Sequence, residues 1–285
     1  MAPALTLVGA ILVYPSIRAL AMSLYDVPSL TAPVDDWRFV GLQNYVDLFS
    51  IRLYRQSLVN IAEIWLISGV FTIGIAFLLA SALTSNIRFR RIFTTIIYLP
   101  QVISVLALGY IWLLFVYNPK FGLFSTVAGL FPFEAISRFR WTSPDHIFLA
   151  MVIAGIFASI GQFTLMYIAA LKKVPPSLYE AARIEGANRL SRLFDITLPL
   201  VRSETKSILL IFSIATINYL IFPLIFTSVT TITPMLFTYD QIFGTELDAT
   251  VNVGVGAAST VVLLAAALAI FVLNHWVIRD AEHHF

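Results

Sequence analysis

Four polar side chains stand inside long apolar runs of this chain: Glu63, Gln101, Gln162 and Asn218, with Asn60 three residues before Glu63. An amide both donates and accepts hydrogen bonds, so Gln162 and Asn218 suit the hydroxyl groups of a solute such as a sugar. Hydrogen bonding between helices is the competing use. Gln101 follows Pro100, and its amide can donate to a carbonyl that the proline leaves without a partner. Glu63 is a carboxylate in apolar surroundings, which marks a functional group by default. The alternative is a carboxylate at the membrane interface, or one paired with a neighbouring subunit. Tyr219 and Phe222 carry rings that can stack on a solute or simply pack.

Catalytic chemistry has no comparable candidates. No Gly-x-x-x-x-Gly-Lys-Ser/Thr pattern occurs, and the only Lys-Ser pair, Lys206-Ser207, follows Glu204-Thr205. There is no HExxH pattern, no Ser-His-Asp candidate and no glycine-rich phosphate loop. The histidines, His146, His275, His283 and His284, stand at the ends of apolar runs or at the terminus. Two adjacent histidines at a terminus make a poor metal site. Cysteine is absent, which excludes disulfides, thiolate catalysis and cysteine metal centres. We expect no catalytic residues, no metal and no cofactor bound by this chain.

The elements that must position the polar groups follow from composition. Of 285 residues, 59% are hydrophobic and 12% charged, against about 25% charged in soluble domains. That composition predicts an all-α integral membrane protein, a single domain over residues 1–285. Apolar runs place spans at about 2–24, 56–83, 92–116, 147–171, 207–227 and 251–278. The first run lacks a preceding basic residue and a clear cleavage site, so it reads as a span rather than a signal peptide. The third, Ile92 to Val116, is 25 residues without a charge. At about 1.5 Å per residue it exceeds a hydrocarbon core of roughly 30 Å, and Pro100 is expected to kink it. Pro223 interrupts the fifth. Residues 25–55 read as a loop with a short amphipathic helix from Leu42 to Phe49, and residues 228–250 as a loop with acids but no Lys or Arg.

Between the fourth and fifth spans, residues 172–206 form the longest strongly polar stretch. Ser177 and Glu180 fit a capping box after Pro175 and Pro176. Gly186 stands where a short helix would end, since glycine accepts a left-handed turn. A second helix from Asn188 to Phe194, stopped by Leu198-Pro199, completes a helix-turn-helix.

Orientation comes from the basic residues. The turn at 86–91 holds three arginines, Arg88, Arg90 and Arg91, and residues 172–206 hold seven Lys or Arg. The loops expected on the other side hold three, three and none. Six alternating helices therefore place both termini and the polar stretch in the cytoplasm of a cell-membrane protein.

The order Glu180-Ala181-Ala182, three residues, Gly186, nine residues, Ile196, one residue, Leu198-Pro199 resembles the EAA signature of permease subunits of binding-protein-dependent ABC importers. Phe39-Val40-Gly41-Leu42-Gln43-Asn44-Tyr45, Tyr98-Leu99-Pro100 and Trp141-Thr142-Ser143-Pro144 are similar to the carbohydrate-uptake branch. Two departures stand out. Thr227 is followed by Ser228-Val229-Thr230-Thr231-Ile232-Thr233-Pro234, where the family usually carries a Gly-Gly-Pro loop, and the extra helices and external insertion of the maltose-type member are missing.

The resemblance implies that the EAA element, with Ser177, Glu180, Ala181, Ala182, Gly186, Ile196, Leu198 and Pro199, docks on a cytosolic ATPase. Small Ala181 and Ala182 would allow close approach, and Glu180 would cap its helix or pair with a basic group of the partner. Implied partners are a second homologous permease, two ATPase copies that use ATP and Mg, an extracytoplasmic solute-binding protein, membrane lipid and a sugar-like substrate, with no nucleic acid. Two alternatives stay open: a proton-driven secondary transporter using Glu63, and import of glycerol-phosphate compounds rather than neutral sugars.

Overall fold

The structure is a computed structural model and describes residues 6–85, 87–130, 139–244 and 251–282, with side chains as far as Asn274. The start of the first span before Thr6, the end of the 228–250 stretch, and His283 and His284 lie outside the described residues. The described chain is helical nearly throughout, as apolar runs in lipid require, because a helix satisfies every backbone group internally.

Over the described residues helix α1 runs from Thr6 to Met22, a stretch shorter than the helices that qualify as full spans. Strands β1 (Tyr25–Asp26) and β2 (Arg38–Phe39) pair antiparallel, with Tyr25 opposite Phe39. Helix α2 (Gln43–Ser50) is the expected amphipathic helix. Helices α3 (Arg52–Thr84), α7 (Ile147–Leu171) and α13 (Val253–Glu282) are each long and apolar enough to cross a membrane. So is Arg202–Ile225, made of α10 (Arg202–Ile217) and α11 (Ile221–Ile225).

The third span departs from the expected kinked rod. Helix α4 (Arg90–Val102) and the run α5 (Val105–Val116) meet at 100°. The break lies at Ile103 and Ser104, both with extended ψ, and not at Pro100, which is buried within α4. The described residues thus hold four full-length spans, a fifth if the bent pair counts as one, and the shorter α1. Between α5 and α7 lies α6 (Leu123–Gly129).

Two further expectations are corrected. The fifth span is interrupted at residues 218–220, ahead of Pro223, which lies inside α11. The 228–250 stretch is no simple loop, for it carries α12 (Pro234–Phe243), with Pro234, Leu236, Phe237 and Thr238 buried. Thr233 caps α12 by accepting the Leu236 amide at 3.3 Å. The Thr-Pro start is a legible signal, because Thr favours the N-cap and proline the first helical position.

The chain forms two compact units, Met1–Ala62 with Ile217–Ala269, and Glu63–Thr216 with Ile270–Phe285. In the first, Leu48, Tyr54, Leu236, Phe237, Val255 and Ala258 make the core. Asn44, from the Phe39–Tyr45 stretch, is buried and donates to the carbonyls of Ser23 and Tyr25 at 2.9 Å each. A Cβ on Gly254 would lie 2.6 Å from the Tyr25 carbonyl, so glycine is what lets α13 approach this turn.

In the second unit, Ala76, Phe77 and Ala80 of α3 pack with Phe163 and Tyr167 of α7 and Ile208 and Phe212 of α10. Gly161 of α7 admits the backbone of α4, since a Cβ there would meet the Ile97 carbonyl at 2.5 Å. Trp141, from the Trp-Thr-Ser-Pro stretch, stacks on Tyr117 at 5.4 Å. The Ser143 hydroxyl lies 2.8 Å from His146 Nδ1 at the start of α7.

Candidate functional site

The polar element between α7 and α10 is built by local rules. Lys172 and Lys173 turn the chain out of α7, and Pro175 holds an extended ψ of 131° before helix α8 (Pro176–Ile184). Pro176 takes the first helical position, where a missing N–H is harmless. Ser177 is therefore already inside the helix. No side-chain cap bond forms at this end, which corrects the capping box expected from Ser177 and Glu180.

The other end follows expectation closely. Gly186 has φ +84°, the Gly186 amide donates to the Arg183 carbonyl at 3.1 Å, and the Ala187 amide to Ala182 at 2.9 Å. These paired bonds form a Schellman motif, which closes the helix and reverses the chain. Asn188 then caps helix α9 (189–200) by accepting the Ser191 amide at 2.8 Å. Helix α9 is π-helical over Arg192–Thr197 and helical again over Leu198–Leu200. Leu198-Pro199 therefore does not stop the helix as expected; the break comes at Val201, with φ −99° and ψ 16°. The wider π turn accompanies Pro199, whose ring cannot donate and crowds the preceding turn.

Helices α8 and α9 are tied by the Tyr179 hydroxyl, 3.2 Å from Thr197 Oγ1. Ala182 is buried, so its small side chain packs within this chain. Glu180 and Ala181 are exposed, Ile196 half-buried, and Leu198 and Pro199 exposed. Residues not anticipated stand out: Ile184 is 88% exposed, and Leu190 and Phe194, four apart on α9, are 66% and 56% exposed. The i, i+4 spacing of Leu190 and Phe194 was a legible signal of one apolar face.

The element is anchored to the spans. Val174 and Leu193 pack against the core of α3, α7 and α10. Lys173 Nζ lies 3.4 Å from Glu204 Oε1 of α10, and the Tyr167 hydroxyl donates to Thr205 Oγ1 at 3.2 Å. Both lysine and glutamate are substantially solvated, so that ion pair contributes little beyond registration.

The polar span residues fall in both units and play different roles. Gln101 donates through Nε2 to the Ala158 carbonyl of α7 at 2.6 Å. It joins two helices rather than capping the carbonyl that Pro100 frees. Gln162 on α7 and Glu63 on α3 are exposed. These three belong to the second unit.

In the first unit, Asn218 and Tyr219 lie in the break between α10 and α11. Tyr219 and Phe222 stack at 5.8 Å with an 11° interplanar angle, and Phe222 is buried. Asn60 is buried, accepts from Gln56 at 2.9 Å and donates to the Ile232 carbonyl at 2.9 Å. It holds the turn before α12. A missed pair is Trp65, whose Nε1 donates to Ser213 Oγ at 2.8 Å within the second unit.

The described residues thus combine helices long and apolar enough to cross a membrane with a Schellman-closed polar hairpin between two of them. Residues 72–282 match the family of binding-protein-dependent transport system inner membrane components, and the chain belongs to that family. The match takes in the whole polar element together with Gln101, Gln162 and Asn218, while Glu63 precedes it. The chain is 32% identical over 164 residues to a probable ABC transporter permease protein, YurN, of Bacillus subtilis, covering 56% of this chain and 56% of that protein. It is 27% identical over 287 aligned positions to the sulfoquinovosyl glycerol transport system permease protein SmoG of Agrobacterium fabrum, covering 99% of this chain and 90% of that one. A crystal structure of a bacterial ABC transporter involved in the import of the acidic polysaccharide alginate shares the fold, with TM-score 0.79 and 21% identity over 98% of this chain and 93% of that one.

Proposed function

We propose that this chain is one of two permease subunits of an ATP-driven importer for a sugar or sugar-like solute. An extracytoplasmic binding protein delivers the solute, and two copies of a cytosolic ATPase supply the energy. The observation that carries this reading is the hairpin at Gly186, whose φ of +84° and paired Schellman bonds fall on the EAA-like spacing inside the family match. Ile184, Leu190 and Phe194 give the hairpin an apolar surface beside charged residues, which suits a groove on a soluble partner.

In this reading the six spans place both termini and α8–α9 in the cytoplasm, as the bias of basic residues suggests. Closure of the ATPase pair moves the hairpin, and its anchoring on α7 and α10 passes that motion to the spans. ATP shifts the equilibrium between inward-open and outward-open states only through contacts that differ between them. Gln162, exposed on α7, is the group proposed to meet the solute, with the second permease completing the path. The name of the SmoG relative, which aligns over nearly all of this chain, supports a glycoside-like cargo.

Reconstitution tests the reading. Vesicles holding both permeases, the ATPase and the binding protein are expected to take up solute only with ATP, and Glu63→Gln is expected to leave that uptake intact. Uptake without the ATPase, driven by a proton gradient and abolished by Glu63→Gln, would establish the secondary-transporter alternative instead.

A further inference from the structure

A cleft of about 690 Å³ runs between α4 and α7 in the second unit, and the polar hairpin does not use it. Its mouth is cationic: Arg90 and Arg91 open α4, and Lys172 ends α7. Among the described residues none of the three has an acidic partner. The first turn of α4 also carries no acidic residue. A helix N-terminus bears partial positive charge and favours anions, so two arginines there are placed against the dipole. The mouth thus concentrates positive potential, with no acidic partner among the described residues.

Below the mouth the lining turns apolar. Leu99 and Val102 are 53% and 71% exposed, and Ile168 forms part of the opposite wall. The hydroxyls of Thr94 and Thr95 donate back to the carbonyls of Arg90 and Arg91, which leaves the cations as the donors for a ligand. From Arg91 to Val102 the cleft follows about 16 Å of helix at 1.5 Å per residue, close to one leaflet of a roughly 30 Å hydrocarbon core. The chain then breaks at Ile103 and Ser104, so α4 accompanies a single leaflet.

We propose that this cleft is a binding site for an anionic phospholipid. Its phosphodiester sits among Arg90, Arg91 and Lys172, and one acyl chain lies along Leu99, Val102 and Ile168. A soluble phosphate compound matches the mouth but leaves the apolar length empty. A zwitterionic lipid matches the length but carries a choline that the three cations repel. The proposal rests on membrane embedding and is independent of which solute the importer carries.

The test uses the assembled importer, purified in detergent, exposed to dioleoyl phosphatidylglycerol or dioleoyl phosphatidylcholine, and read by native mass spectrometry. Wild-type protein is expected to retain phosphatidylglycerol in preference to phosphatidylcholine, and glycerol phosphate is expected not to displace it. Each cation near an anionic headgroup contributes roughly fivefold in affinity, so the Arg90→Gln, Arg91→Gln, Lys172→Gln triple variant should weaken retention on the order of a hundredfold. Leu99→Trp, which fills the apolar length and keeps the charges, should also lower retention. Equal retention by wild type and both variants would overturn the proposal, as would displacement by glycerol phosphate. The chain has no cysteine of its own, so Val102→Cys gives a single label on this wall. Its modification by a membrane-dissolved maleimide supports the site; its cross-linking to the second permease would show that protein covers the cleft, and would overturn it.

Discussion

The hydroxyl of Thr233 donates to the carbonyl of Tyr219 at 2.7 Å. That carbonyl is the one whose helical partner would be the N–H of residue 223, and residue 223 is proline. A membrane helix tolerates proline only where another group satisfies the freed carbonyl. The same Thr233 oxygen accepts the Leu236 amide and so starts α12. One side chain therefore both repairs the broken span and seeds the helix that follows.

Thr233→Val keeps the shape of this side chain and removes both bonds. It should cost about 1–3 kcal/mol, the penalty for a buried polar group left unpaired. Thr233→Ser should recover most of the loss. Thermal melting of the purified importer, followed by tryptophan fluorescence, measures both variants; identical melting of Thr233→Val and wild type would contradict the bridging role.

At Gly186 no atom lies within 4 Å of an added Cβ, so substitution meets only backbone strain. Gly186→Ala should cost about 1–2 kcal/mol in the hairpin, while Gly186→Asn should cost less because asparagine visits the left-handed region more readily. Copurification of the ATPase and ATP-driven uptake should fall in the order wild type, Asn, Ala, with membrane insertion unchanged in all three.

Gln101 and Gln162 differ in role although both are amides in spans. Gln101→Leu removes the bond to Ala158 and should lower stability by about 0.6–2 kcal/mol, the range for bonds between membrane helices. The solute concentration for half-maximal uptake should stay near wild type. Gln162→Leu should leave stability unchanged and raise that concentration severalfold. Uptake titrations beside melting curves separate the two, and the reverse pattern would exchange their roles.

Burial raises the Asp240 carboxyl of α12 above its ordinary value of 3.8. The folded state then binds its proton more tightly than the unfolded state. Stability from this residue is full below pH 3.8 and is lost as pH rises through the higher folded value. Asp240→Asn should flatten the acid side of the melting-temperature profile and raise melting at neutral pH. An unchanged profile would show that the carboxyl is solvated in the assembled importer.

Hydropathy alone places α7 at Ile147–Leu171, as the structure has it, because in lipid each apolar run must satisfy its own backbone. The turn at Gly186 is legible for the same kind of reason. A left-handed residue is a local steric matter, and glycine meets it without reference to the rest of the chain. The uncapped start of α8 was misread because Ser177-x-x-Glu180 is a statistical pattern. Pro176 already fills the first helical position, and that moves the cap to Pro175.

By itself the sequence determined the membrane class, the apolar runs, the polar hairpin and its glycine turn, since each depends on side chains close together along the chain. Tertiary structure alone decided that the third span breaks at Ile103 and Ser104 rather than at Pro100, that Ala182 packs inward, and that Gln101 reaches Ala158. It also decided that Thr233 answers for Pro223. These depend on which backbone carbonyl or side chain comes alongside from a distant part of the chain. Close approach of that kind is set by the packing of helices, such as α4 against Gly161, and no local pattern of residues encodes it.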